Sequence, residues 1–288
     1  MMDKFERNIS VLGRSKRTFD CYSRHLAAIS LHFGKLPLEL DPEQVQDYLF
    51  LLQKRSKTPS ETYFKHTVYG LRFLLKGEGH SYDYLRLPEI KTEKRIQVVL
   101  SKEEVWLMLK TAKLLKHRLL IGLLYGCGLR CMEVRSLRLA DLDFDRKQLK
   151  VVQGKGKKDR YVPLSEHLIR GLIKYIEAEK PQDYLFGAVN GRAGGEFDSR
   201  YSQKGVQWVI KQTCKMANIK KAVHVHTLRH SFATHLLEDG MDIVTLKNLL
   251  GHENLETTME YLQIAQLPTQ RIFSPLDTLF AKCAVKSK

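Results

Sequence analysis

The segment Leu119–Leu129, LLIGLLYGCGL, is apolar from end to end and carries Arg118 and Arg130 at its borders. A helix that is hydrophobic all round must be covered on every side, so this segment demands a layer of other elements around it. It falls far short of the roughly 20 residues that a membrane-spanning helix needs. It reads as the central helix of a packed core, and its neighbours must supply amphipathic faces to bury it.

Those neighbours are mainly helical. In the first half Phe19, Tyr22, Leu26, Ile29 and Phe33 recur at helical spacing, as do Val45, Tyr48, Leu49 and Leu52. The second of these helices has a marked start, with Asp41 as N-cap, Pro42 at the first helical position and Gln44 placed for a capping box. A third opens the same way on Thr58, Pro59 and Glu61 and carries Phe64, Val68, Leu71 and Leu75 on one face. From Leu87 to Val98 the periodicity is lost in LPEIKTEKRIQV, which reads as a linker, and Ser101 with Glu104 then caps a new helix. Leu149–Val152 and Tyr161–Val162 are β-rich and flank GKGKKD, a hairpin signal. The expected fold is mainly α with a small antiparallel β-sheet. A helical domain over residues 1–90 is joined by a linker at 91–99 to an α+β domain at 100–288.

Charge narrows the partners. The chain of 288 residues holds 48 Lys+Arg against 32 Asp+Glu, a formal net charge of +16 shared by both halves. Nucleic acid, an anionic membrane surface or acidic proteins could supply the countercharge. Any one lysine on an exposed helix face is ordinarily just solvated. The set Arg14, Lys16, Arg17, Arg24, Lys54, Arg55, Lys57, Lys65, Arg72 and Lys76 in the first domain is harder to read that way. Charges in MMDKFERNIS stand where a signal peptide places its apolar region, and the five cysteines lack C-x-x-C spacing. A reducing, cytoplasmic setting follows, without a disulfide framework or zinc finger.

Four segments concentrate reactive residues. Arg130 follows the buried helix and a Gly-Cys-Gly break, where its planar fork could hold a phosphate, and Glu133 lies one turn on to orient it. Lys155 projects between Gly154 and Gly156 at the hairpin tip. His226 and Arg229, three apart, pair an imidazole with a permanent cation. His252 follows Gly251 in a turn, and Asn254 is placed to cap a short helix bearing Tyr261. His226 and His230 are spaced for chelation, but the H-E-x-x-H glutamate is missing and an arginine intervenes, so no metal is expected there. Cations, imidazoles and one tyrosine suit transfer of a phosphodiester to the tyrosine hydroxyl.

The ordered set GLRCMEVRSL, GKGKKDRYVPL, HTLRHSFATHLL and LLGHENLETTMEY resembles the signature of the tyrosine recombinase (phage integrase) family, in its compact Xer-type or small transposon integrase form. The resemblance implies that the first half is a core-binding domain and the second the catalytic domain. It implies that Arg130 and Arg229 clamp the scissile phosphate and that Lys155 protonates the leaving 5′-hydroxyl. His226 would act as general base, His252 as a phosphate ligand, Glu133 as a supporting residue and Tyr261 as nucleophile. The 3′-phosphotyrosyl link conserves the bond energy, so no cofactor is implied. The implied partners are double-stranded DNA carrying a specific recombination site, a homotetrameric synapse and, in some systems, a second recombinase. A nucleoid-associated location follows. The apolar tail through Ile272, Phe273, Leu276, Leu279 and Phe280 would dock on a neighbouring protomer, with docking on its own domain as the alternative. A type IB topoisomerase-like enzyme and a non-catalytic DNA-binding protein are the alternatives.

Overall fold

The computed structural model describes residues 2–54, 61–90, 97–152, 159–187 and 199–265. Arg55, Lys57, Thr58, Pro59, Lys155 and the tail beyond 265 lie outside these. The chain divides into two compact units, Met1–Lys94 and Arg95–Lys288.

The first unit is helical. It contains α1 (Met2–Val11), α2 (Lys16–Phe33), α3 (Pro42–Lys54) and α4 (Glu61–Gly77). Helix α2 starts on Ser15, whose hydroxyl accepts from the Thr18 amide, and stops at Gly34, whose φ of 66° supplies the left-handed C-cap. The capping box read from Asp41 and Gln44 is present in both directions, at 2.8 and 3.3 Å. Ile29, Val45, Leu49, Val68, Leu71 and Leu75 form the centre of its core. Helix α1 carries no long apolar stripe, only Phe5 and Ile9 turned inward, and periodicity alone does not reveal it.

In the second unit α5 (Lys102–Thr111) opens on the expected Ser101–Glu104 capping box. The apolar segment is α6 (Leu115–Gly126), with Leu119 to Leu124 all buried. Around it lie α7 (Cys131–Arg135), α8 (Glu166–Glu179), α9 (Gln203–Met216), α10 (Val225–Glu238), α11 (Ile243–Leu250) and α12 (Glu256–Met259). Helix α6 packs against α5, α8 and α10, which is the coverage its composition demands. Among the described residues one antiparallel sheet is present, ordered β1 (Leu142–Asp143), β2 (Gln148–Val151), β3 (Arg160–Pro163). The hairpin matches the sequence reading, while the short β1 was not legible. Leu149 faces Val162 and Val151 faces Arg160 in the register, so Leu149, Val151 and Val162 enter the core and Arg160 sits at the strand end. No helix among the described residues is long and apolar enough to cross a membrane.

Candidate active site

The turn that leaves α6 builds the first part of the site. Gly128 has φ of +60°, and a Cβ there would lie 2.4 Å from Phe232 Cδ1, so only glycine fits this corner. Two residues later Arg130 forms the N-cap of α7. Its backbone N–H donates to Glu133 Oε2 at 2.8 Å and its Nη1 donates to Oε1 at 2.7 Å. Arg160 reaches the same carboxylate from β3, donating from Nη1 to Oε1 at 2.9 Å and from Nη2 to Oε2 at 2.8 Å. Burial pushes the Glu133 carboxyl up, but the bonds and charges of Arg160 and Arg130 outweigh it and hold the pKa at about 2. Glu133 is therefore a permanent anion that fixes two guanidiniums.

Arg229, on α10, is fully buried. Nη1 donates to the Gly128 carbonyl and Nη2 to the Leu250 carbonyl, each at 2.6 Å. Nη2 also lies 3.1 Å from His252 Nε2. Burial and the neighbouring Arg130 lower the Arg229 pKa to about 10, which still leaves a cation at neutral pH. Its buried Nε–H has no hydrogen-bond partner among the described residues. An unpaired cationic donor inside a protein is costly.

A guanidinium only donates, so His252 accepts at Nε2 and its Nδ1–H donates to Thr258 Oγ1 at 2.9 Å. Burial and then the charges of Arg229, Arg130 and Arg160 push the His252 pKa down to about 3. Tyr261 follows α12 and is 4% exposed. Its ring stacks near His252 with centroids 6.3 Å apart, and its hydroxyl lies 3.2 Å from His230 Nδ1. Burial raises the hydroxyl pKa and the Arg229 cation pulls against it. His230 is lowered to about 4 by burial and by His226 and Arg229. The rings of His226 and His230 meet edge to face at 4.7 Å. His226 is exposed at the start of α10, lowered by the enclosing chain and then by Arg229 and Arg130.

The structure thus brings Arg130, Glu133, His226, Arg229, His252 and Tyr261 into one connected cluster. Lys155 lies outside the described residues. The short helix expected to bear Tyr261 spans only Glu256–Met259, so Tyr261 follows it, and Leu255 rather than Asn254 stands at its N-cap. Three participants escaped the sequence reading. Arg160 and Thr258 carry no local signal because their partners stand 27 and 6 residues away. His230, noted in the sequence only for its i,i+4 spacing to His226, joins the cluster through its contact with Tyr261. Two open clefts reach the cluster. One is lined by Arg130, Glu133, Arg138 and Arg200, the other by Lys211, Lys215, Lys221, His224 and His226.

Comparison with known proteins identifies the family. Residues 84–267 match the model of the phage integrase family. Over 92% of its length the chain is 33% identical to the tyrosine recombinase XerA of Thermococcus onnurineus, of which it covers 90%. It is also 33% identical to a tyrosine recombinase of Thermosipho africanus, over 88% of this chain and 91% of that one. In fold it resembles the Tn1549 transposon integrase in complex with a circular intermediate DNA, at TM-score 0.68 and 17% identity over 99% of this chain and 98% of that one. On both the family match and the full-length relatives, the chain belongs to the phage integrase family and is a tyrosine recombinase.

Proposed function

We propose that Tyr261 is the nucleophile of this recombinase and that Arg130 and Arg229 bind the scissile phosphate. The observation that carries the assignment is Arg229: fully buried, pinned by two carbonyls, joined to His252 and with its Nε unpartnered among the described residues. An enzyme of site-specific DNA strand cleavage and rejoining needs such a fixed cation where charge develops on phosphorus. The Tyr261 oxygen forms a bond to phosphorus as the bond to the 5′-oxygen breaks. The tyrosine proton passes to the His226–His230 pair, and the leaving oxygen takes a proton from Lys155, assigned on the sequence pattern. Rejoining reverses these transfers, and the product is a 3′-phosphotyrosyl link in between.

Duplex DNA is the partner the charge supports. The clefts beside the cluster are lined by Arg138, Lys211, Lys215 and Lys221, and the helical first unit adds Arg14, Lys16 and Arg24 as a core-binding domain. Strand exchange between two sites would use a homotetrameric synapse, with the apolar tail after 265 as the docking segment. A nicked suicide substrate carrying the recombination site, incubated in chelator, is expected to trap a covalent adduct. Tyr261→Phe should abolish that adduct and leave DNA binding intact. An adduct that persists in Tyr261→Phe would move the nucleophile elsewhere.

A further inference from the structure

The first unit carries a second constellation that strand cleavage does not use. Cys21 and His25 stand one turn apart on α2, and His66 faces them from α4, the helix against which α2 packs. One potential ligand atom from each of the three lies within 4.8 Å of the other two. The rings of His25 and His66 are 5.6 Å apart, and Tyr63 closes edge-on over His25 at 4.2 Å. His25 is buried, while Cys21 and His66 are half-buried, so the group has a dry base and an open mouth.

The hydrogen bonding prepares His25 as a ligand. Thr67 Oγ1 donates its proton to the Tyr63 carbonyl at 3.0 Å. A hydroxyl has one proton to give, so its contact with His25 Nδ1 at 3.2 Å has the imidazole N–H as donor. The ring is left as a neutral imidazole with a lone pair on its other nitrogen, the form in which histidine binds metal when a hydrogen bond fixes its tautomer. Burial, then His66 and Arg24, keep that ring neutral well below pH 7, with a pKa of about 4. Arg24 is exposed to water, which screens its charge from an incoming cation.

We propose that Cys21, His25 and His66 form a metal site in the helical unit that takes a borderline-soft divalent cation, Zn²⁺ foremost. One thiolate and two imidazoles suit Zn²⁺ or Co²⁺ and disfavour Mg²⁺ and Ca²⁺, which require oxygen ligands. Water fills the fourth tetrahedral position. Binding releases the Cys21 thiol proton to solvent and ties α2 to α4, so the ion acts as a brace within this unit. It takes no part in strand cleavage.

The test uses the full chain, stripped with a chelator, desalted and titrated with Co²⁺ and then Zn²⁺. One equivalent of Co²⁺ per chain should produce visible tetrahedral bands and a near-ultraviolet thiolate charge-transfer band, both erased by Zn²⁺. Cys21→Ser should remove the thiolate band, and His66→Gln, at a half-exposed position, should weaken Co²⁺ binding by about tenfold or more. Zn²⁺ should raise the Tm of the wild type more than that of either variant at the same free concentration. A wild-type titration without a thiolate band overturns the proposal whatever the variants do. A band that survives in Cys21→Ser also overturns it, because the thiolate then belongs to another cysteine.

Discussion

Arg160 grips both carboxylate oxygens of Glu133 in a parallel pair of bonds at 2.9 and 2.8 Å, with the two side chains 9% and 6% exposed. The same carboxylate holds Arg130, so Glu133 bridges two guanidiniums that reach it from different elements. Arg160 is anchored in turn by Nε donating to the Leu249 carbonyl at 2.9 Å. The strand end, the start of α7 and the end of α11 are thereby tied at one point. On the proposed mechanism Glu133 and Arg160 position Arg130, and their loss should act on it.

Removing one partner of this pair leaves the other buried and uncompensated. Arg160→Ala should destabilise the second unit by about 3 kcal/mol, as expected for a broken buried pair. It should also slow single-turnover cleavage more than it weakens DNA binding, because Arg130 loses its fixed position. Arg160→Lys should recover little, since one ammonium cannot make the bidentate contact. Urea unfolding alongside suicide-substrate cleavage separates the two effects. Equal losses of binding and cleavage would show that Arg160 serves only the fold.

Arg229 invites the substitution that keeps charge and removes geometry. Its two Nη groups satisfy the carbonyls of Gly128 and Leu250 while Nη2 also meets His252. In Arg229→Lys one ammonium cannot span both carbonyls, and at least one buried acceptor is orphaned at about 1–3 kcal/mol. Cleavage should fall by about a hundredfold or more, the usual cost of losing a preorganised donor at a developing charge. Affinity for the DNA site should change far less, because most of the binding charge lies elsewhere. Cleavage within threefold of the wild type would show that charge alone suffices.

Gly128 is the corner on which both arginines depend. It needs a positive φ, its carbonyl receives Arg229, and Phe232 leaves no room for a methyl group. Gly128→Ala combines left-handed strain of roughly 1–2 kcal/mol with a clash that must move Phe232. The expected result is a loss of 2 kcal/mol or more, on the order of the two costs together, with a matching drop in Tm. Gly126→Ala provides the control. That residue lies in helical backbone, and its added Cβ would be 3.3 Å from a Leu168 methyl that can turn aside. Similar destabilisation by both variants would argue against the special role of the corner.

The contrast between residues that were legible and residues that were not has a physical origin. Arg130, His226, Arg229, His252 and Tyr261 stand in the ordered motifs that carry the resemblance to the family, and that order is what singled them out. The start of α3 was legible because Asp41 and Gln44 bond within one turn. Arg160 was not, because its meaning depends on the β3 register and on a carboxylate 27 residues away. Thr258 reads as an ordinary helix residue until His252 folds over it. Asn254 misled because a good cap residue does not oblige a helix to begin there. Leu255 takes helical angles already, and the short α12 starts without a side-chain cap. The Cys21, His25 and His66 group was invisible for the reason Arg160 was: two helices had to pair before the third ligand joined the first two.

The last expectation concerns acid. His230 is held neutral in the fold, with a pKa of about 4 against an ordinary value of 6.5, and in that form it can accept the Tyr261 proton donor. A histidine depressed in the folded state binds fewer protons folded than unfolded. Its stabilising effect is complete above pH 6.5 and is lost progressively as pH falls towards 4. His252 follows the same sign with its loss extending to about pH 3, and Glu133 adds a further loss between pH 4.5 and about 2. His230→Gln removes one titrating group while its amide oxygen can still accept from Tyr261. Between pH 6.5 and 4 the variant's Tm should fall less steeply than the wild type's, with the two curves converging as pH decreases. His25 titrates identically in both proteins and cancels in the difference. Parallel curves across that interval would mean that His230 is not held neutral in the fold beside Tyr261.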